Sequence, residues 1–445
     1  MTRKNNKKLT GNKRLTGIGL AAIALCGLST PALAEVSGET SYIFNSFLFL
    51  ISGMFVMFMA AGFCMLEVGM VRAKNAATIC VKNIALYSIA GLMFYLVGYK
   101  LLYGGATPYF GGFGVWAPDD AAAKAGEFEA GSYASGSDWF FQMVFCATAA
   151  SIVSGTLAER IKLWPFLIFT AVLTGIIYPI QASWVWGGGW LSTLGFSDFA
   201  GSTLVHATGG FAALTGALIL GARTGKYGAG GQIGVFPGSS LPLATVGTFI
   251  LWLGWFGFNG GSQLALGSAV DVVAISQVFI NTNLAAAGGC VAAILLTQLL
   301  YKKVDLTMAL NGAIGGLVSI TAEPLAPAGG MAILIGAIGG VLIVYTVPLL
   351  DKLKIDDVVG AIPAHLVCGI WGTLAVALSA DDILAQLGVQ LLGIVAIGAF
   401  VSAVSTALWF GLKATMGLRV SQEEELTGLD KTELGLEAYP EFAVN

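Results

Sequence analysis

The feature that most limits this chain is a series of eleven apolar runs, at about 43–70, 77–103, 138–158, 163–185, 199–221, 241–261, 274–300, 307–323, 329–350, 358–379 and 387–412. Runs of about 20 residues with few charges match, as helices, the hydrocarbon thickness of a bilayer. Inside lipid the backbone must satisfy its own hydrogen bonds, so the expected fold is an all-α integral membrane protein with eleven transmembrane helices. Charged residues are only 11% of the 445-residue sequence, where a soluble domain carries about a quarter. A chain of this length would otherwise suggest two or three soluble domains; here one membrane domain takes it up.

The charges test the count. Arg72 and Lys74, Arg160 and Lys162, Arg223 and Lys226, Lys302 and Lys303, Lys352 and Lys354, and Lys413 and Arg419 all fall in alternate connections. The connections between them hold almost no basic residue, Lys124 in the long 104–137 segment excepted. Such asymmetry marks the cytoplasmic side and would break if a span were gained or lost midway. The N-terminus of the first span is therefore expected outside and the C-terminus inside. Before that span, a basic start, an apolar stretch from about Leu15 to Leu28 and Pro-Ala-Leu-Ala ahead of Glu35 read as a signal peptide, 1–34, cleaved after Ala34. The membrane domain is then 35–415 and a polar cytoplasmic tail 416–445. A formal net charge of −3 gives no reason to expect a nucleic-acid partner. Cys64, Cys80, Cys146, Cys290 and Cys368 fall in apolar runs, where thiols act as small packing residues.

Two stretches share one pattern. Asp198-Phe-Ala-Gly201-Ser-Thr-Leu-Val-His206-Ala-Thr-Gly-Gly210 and Asp357-Val-Val-Gly360-Ala-Ile-Pro-Ala-His365-Leu-Val-Cys-Gly369 both read D-x2-G-x4-H-x3-G. They lie in the fifth and tenth runs. Five spans is an odd number, so the second copy enters the membrane from the opposite side. This predicts two inverted five-helix repeats, about 43–221 and 241–379, with the eleventh helix, 387–412, outside them; transporters build sites at such interfaces. Eight residues of helical rise, about 12 Å, would carry each histidine from an aspartate near the membrane face to near the midplane. His206 and His365 are the sequence's two histidines. A lone intramembrane histidine can simply bond a neighbouring helix, but recurrence at matched depth in inverted copies favours a pathway role. The aspartates read as helix caps, structural and orienting.

The strings MVRAKN (70–75), LAERI (157–161), WVWGGGW (184–190), DFAGSTLVH (198–206), GWFGFNGGS (254–262) and AHLVCGIWG (364–372) together resemble the ammonium transporters of the Amt/Mep/Rh family, of bacterial Amt type. The resemblance runs from about residue 43 to the C-terminus. It implies an outer recruitment site for the ammonium ion, with methylammonium as analogue, formed by Phe145, Trp186 and Ser262 with Phe141 in the vestibule. It further implies a gate of Phe145 and Phe258, a pore pair of His206 and His365, and an ordering role for Asp198. It implies a homotrimer with one pore per subunit in a bacterial plasma membrane. The tail string EEELTGLDKTELG with the following AYPEF resembles the family's ordered tail, which packs under the neighbouring subunit, and a P-II type signalling protein is the expected cytoplasmic partner. Glu67 departs from many members; an ion pair with Arg72, about one helical turn away, is its plain account.

Other classes fit less well. A potassium channel would want carbonyl or acidic rings, and nothing resembles a TVGYG filter. An enzyme would need a nucleophile or metal constellation, which two histidines do not supply, and no cofactor is expected. A sensor of ammonium is the alternative to a transporter. About twenty-five polar residues after the last run are too few for a kinase or cyclase module, so sensing would need a cytoplasmic partner.

Overall fold

Membrane-length helices make up nearly all of the fold. The computed structural model describes residues 36–440; the expected signal peptide, 1–34, lies outside them. The helices are α1 (Gly38–Met70), α2 (Ala73–Tyr103), α3 (Ser135–Thr156), α4 (Leu163–Ser183), α5 (Ser202–Leu220), α6 (Leu241–Gly261), α7 (Ala269–Tyr301), α8 (Leu306–Ile320), α9 (Gly329–Lys352), α10 (Ile362–Ser379) and α11 (Ile383–Thr415). Ten are long and apolar enough to cross a bilayer, while α8 has only 15 residues. From Met308 onward α8 is buried against α7 and α9, so it meets protein rather than lipid and need not match the lipid thickness. Among the described residues there is no strand, only isolated bridges between Ile161 and Arg419 and between Tyr227 and Ile233.

The packing has the expected inverted symmetry. α2 lies on α3 and α4, as α7 lies on α8 and α9. The contacts joining the halves pair equivalent helices, α1 with α6 and α5 with α10, and α11 rests on α5 outside the repeat. The last glycine of each motif is where α5 and α10 cross. A Cβ at Gly369 would run into the Ser202 carbonyl oxygen, and one at Gly210 would lie 2.6 Å from the Leu366 side chain.

Both helices begin with a widened turn, Ser202–Ala207 and Ile362–Val367, each preceded by a left-handed glycine, Gly201 at φ 110° and Gly360 at φ 78°. Widened turns of this kind concentrate at functional sites. Here each one carries the histidine. The structure corrects the expected rise from the aspartates, because neither helix starts there. Asp198 lies four residues before α5 and Asp357 five before α10, and the segments between are loops bonded to the carboxylates. Asp198 is itself sunk below the bundle surface at 3% exposure, while Asp357 is only partly buried, at the tail-end cavity.

At the end of the bundle bearing the tail, the basic residues form a network. Arg223 holds Asp356 at 2.9 Å through Nε and reaches Glu159 at 3.3 Å. Arg160, fully buried, donates to the carbonyls of Thr156, Ala158, Gly221 and Asp356. The tail closes this end within its own chain: Glu425 pairs with Arg419 and accepts from the Thr224 N–H, and Asp430 caps α2 through the N–H groups of Ala77 and Thr78.

Asp356 sits in the connection between α9 and α10. Burial alone would raise its carboxyl, but Arg223 and Arg160 outweigh it and hold the value at about 2, below the ordinary 3.8. A lowered folded value contributes stability above the unfolded value and loses it as pH falls through the folded one, here between about 4 and about 2; the difference corresponds to about 2 kcal/mol. The gap in thermal stability between the purified protein and Asp356→Asn is therefore expected to narrow across that window. A gap that stays constant to the acid limit would remove Asp356 from the account.

Candidate functional site

Opposite the tail, a cavity of about 440 Å³ opens among α2, α3, α6 and the 184–201 segment. Phe141, Phe145, Trp186 and Ser262, the four residues expected to recruit substrate, all line it. They converge for local reasons. Phe141 and Phe145 are one turn apart on α3, with centroids 4.8 Å apart edge to face. Trp186 donates its indole N–H to the Asp198 carbonyl at 3.0 Å, which turns its ring toward Phe145, 6.1 Å away. Ser262 donates its hydroxyl to the Phe258 carbonyl at 2.8 Å. With the proton so committed, its oxygen presents lone pairs to the cavity and acts as an acceptor.

Beneath the cavity Phe145 and Phe258 stack at 4.0 Å and 24°, closing the way down. Phe145 and Phe258, which the resemblance pairs as a gate, are thus in contact. Phe258 lies 5.3 Å from the His206 ring, and the His206 and His365 rings lie 5.3 Å apart at 23°, with Nδ1 to Nδ1 at 3.3 Å. Both are buried, at 0% and 3% exposure. In an Nδ1–Nδ1 bond one ring donates and the other accepts. The outer nitrogens are then one bare acceptor and one N–H donor. His206 Nε2 has no protein partner.

Below His365 the passage narrows to a slot of about 10 Å³, which shares Asn311 and Val359 with a cavity of about 340 Å³ at the tail end. The aspartates flank the line rather than block it. Asp198 accepts four backbone N–H bonds, from Gly201 and Ser202 on Oδ1 and from Thr203 and Leu204 on Oδ2, at 2.8–2.9 Å. Asp357 makes a lighter cap, accepting from Ile362 N–H at 2.7 Å and Thr156 Oγ1 at 3.0 Å, and it lines the tail-end cavity.

The order cavity, stacked phenylalanines, imidazole pair, slot and second cavity runs through the bundle between its two halves. A model of the Ammonium Transporter Family matches residues 47–439. The chain belongs to that family. Ammonium transporter Amt2 of Archaeoglobus fulgidus is 40% identical over 421 residues, spanning 88% of this chain and 87% of that one. A solved structure described as a sensor Amt protein superposes with a TM-score of 0.83 at 36% identity, covering 88% and 98% of the two chains. Mep2 of Candida albicans superposes at 0.77 with 27% identity, covering 87% and 88%. This Amt chain is thus a multi-pass membrane transporter rather than an enzyme.

Three features of the Amt site were not read from sequence. Asp138, one turn before Phe141 on α3, lines the cavity at 6% exposure and accepts from Tyr99 Oη at 2.6 Å and Gln142 Nε2 at 3.3 Å. Trp255, inside the quoted string GWFGFNGGS, stacks on His206 at 5.0 Å and 19°, fixed by its indole bond to Thr321 at 2.8 Å. The ion pair that the sequence suggested between Glu67 and Arg72 is not formed. Arg72 is taken by Glu159, whose two oxygens accept from its backbone N–H and Nε at 2.7 Å, leaving Glu67 buried elsewhere.

Proposed function

We propose that this chain recruits the ammonium ion in the Phe145–Trp186–Ser262 cavity, strips it of a proton, and conducts neutral ammonia past the phenylalanine gate and along the histidine pair, excluding K⁺. The observation that carries the reading is the buried Nδ1–Nδ1 imidazole pair at 3.3 Å directly beneath a stacked aromatic gate. Aromatic faces attract a desolvating cation by about 1–2 kcal/mol. That does not offset the several kcal/mol of carrying a bare ion through an apolar interior. Desolvation instead lowers the pKa of ammonium, and the proton leaves as water is stripped away. Potassium has no proton to lose and no N–H to give Ser262, so it stops at the gate.

In this reading the tail end is cytoplasmic and the aromatic cavity outside, an orientation supported by the basic residues gathered at the tail end. A cleaved leader, a homotrimer and a P-II type partner at the tail face belong to the same reading. They rest on the resemblance and on the ordered tail. Ammonium-evoked current and radiolabelled methylammonium uptake in proteoliposomes, with K⁺ as control, test it; uptake no greater than in empty vesicles would end it. The likeness to a sensor Amt protein supports a second reading, sensing through a cytoplasmic partner, which predicts binding without uptake.

Asp138 adds a charge to the recruitment cavity. Its bonds come from a phenol and an amide, neither of them cationic, so its field is free to act on a cation held by Phe145 and Ser262. Ser262→Ala and Asp138→Asn are each expected to raise the half-saturating ammonium concentration about five- to tenfold, roughly 1 kcal/mol, with maximal current little changed. The Asp138→Asn effect shrinks at high ionic strength and the Ser262→Ala effect does not. Unaltered half-saturation in both variants would place recruitment elsewhere.

A further inference from the structure

Glu67 is a buried acid that the function above does not use. It lies on α1 one turn, about 6 Å, toward the tail end from Phe63, whose ring sits 5.9 Å from that of His365. At 1% exposure it is enclosed, and its two oxygens differ. Oε2 accepts from Ser154 Oγ at 2.8 Å and Asn83 Nδ2 at 3.2 Å, whereas Oε1 has no hydrogen-bond partner. Glu67 and His365 line the same slot, together with Ser151 and Asn311. A volume of about 10 Å³ is the size of a single water, and these polar side chains are enough to hold one.

A carboxylate at this depth needs a reason to be tolerated. Lys82, on α2 and also 1% exposed, supplies the opposite charge. Its Nζ donates to the Ser154 carbonyl at 2.9 Å and lies 4.4 Å from the Phe166 ring centre, so Ser154 joins the ammonium group to the carboxylate. Lys82 is not among the residues lining the slot. The other titratable groups nearby are Cys64 on α1, Cys80 on α2, Arg160, whose guanidinium is spent on backbone carbonyls, and His365 itself. The cluster thus holds a charge-balanced acid beside the slot and leaves one of its oxygens unengaged, on a residue that lines that slot with His365.

We propose that Glu67 is the proton acceptor that follows the histidine pair, carrying inward the proton that ammonium gives up. The step rests on the transport reading above. The N–H bond of the protonated His365 ring breaks, the slot water takes that proton and gives one of its own to Oε1, and an O–H bond forms on Glu67. The imidazole returns to neutral. The carboxyl then loses its proton to water in the tail-end cavity, so one positive charge crosses for each ammonia conducted. Lys82 keeps its proton throughout.

Proteoliposomes of the full chain test this with two readouts, ammonium-evoked current and radiolabelled methylammonium uptake. Glu67→Gln keeps the size and the bonds to Ser154 but binds no proton. Its current is expected to fall at least about tenfold while uptake stays within about twofold, the substrate proton now returning outward. Glu67→Asp should recover much of the current. Glu67→Gln/Lys82→Met, which leaves no uncompensated charge, should show the same split should the single variant fold poorly. A Glu67→Gln current equal to that of the unsubstituted protein overturns the proposal. So does an equal loss of current and uptake in a variant of unchanged thermal stability, or uptake without current in the unsubstituted protein. Absence of both signals in the unsubstituted protein would instead remove the transport reading beneath it.

Discussion

His206→Leu and His365→Leu are each expected to lower ammonium-evoked current on the order of a hundredfold, and the double variant to lower it no further. The reason is the single bond the two rings share. With Nδ1 facing Nδ1 at 3.3 Å, one imidazole is donor only because the other is acceptor. Removing either leaves the survivor with a buried nitrogen unpaired and breaks the chain from outer acceptor to outer donor at one point. Groups that act as a unit lose nearly everything at the first deletion. Independent packing roles would give the opposite pattern, two modest losses that multiply in the double variant. Current measured for the three variants at matched protein density separates the two. The leucines preserve an apolar lining, so K⁺ exclusion is expected to survive in all three.

The sequence made the helices and the meeting of the histidines legible for a shared reason. Lipid forces long apolar segments into helices, and a motif repeated across five spans carries its own symmetry. What it hid was the backbone at the critical helix starts. The fifth and tenth runs begin near 199 and 358 by hydropathy, but α5 and α10 begin at Ser202 and Ile362, because hydropathy weighs side chains and the caps act on backbone N–H groups. The widened turns that carry His206 and His365 have no such signature either. The four residues that the resemblance offered for recruitment line one cavity, yet Asp138 beside them went unread, since an acid in the first turn of a helix looks like any other favourable end charge.

Charge partners were the least legible feature. Arg72 is five residues from Glu67, but Glu159, 87 positions along the chain, offers it two oxygens in fork geometry. Glu67 in turn finds Ser154 and Asn83 on two other helices. Proximity along one helix predicts pairing only when no better-shaped partner arrives through the fold. The same reasoning makes the tail informative: Glu425 and Asp430 look like solvated acids in sequence, but each closes backbone N–H groups of the bundle, Thr224 for one, Ala77 and Thr78 for the other.

Asp198→Ala is expected to destabilise the protein by about 3–5 kcal/mol, the largest stability loss of any single change considered, because four buried backbone N–H groups lose their acceptors at once. Asp198→Asn keeps one oxygen and should lose roughly half as much. Asp357→Ala, which strands one backbone N–H and a threonine hydroxyl, should lose about 1–2 kcal/mol despite occupying the equivalent place in the repeat. Thermal unfolding in detergent ranks the three. The ranking decides between two meanings of the acid beside the recruitment cavity. As an organiser, Asp198 fixes the first turn of α5, hence His206, and through its carbonyl the Trp186 indole, so stability and transport fall together. As a direct ligand for ammonium, its replacement by asparagine would raise the half-saturating concentration with the unfolding temperature unchanged, a result its four backbone bonds argue against.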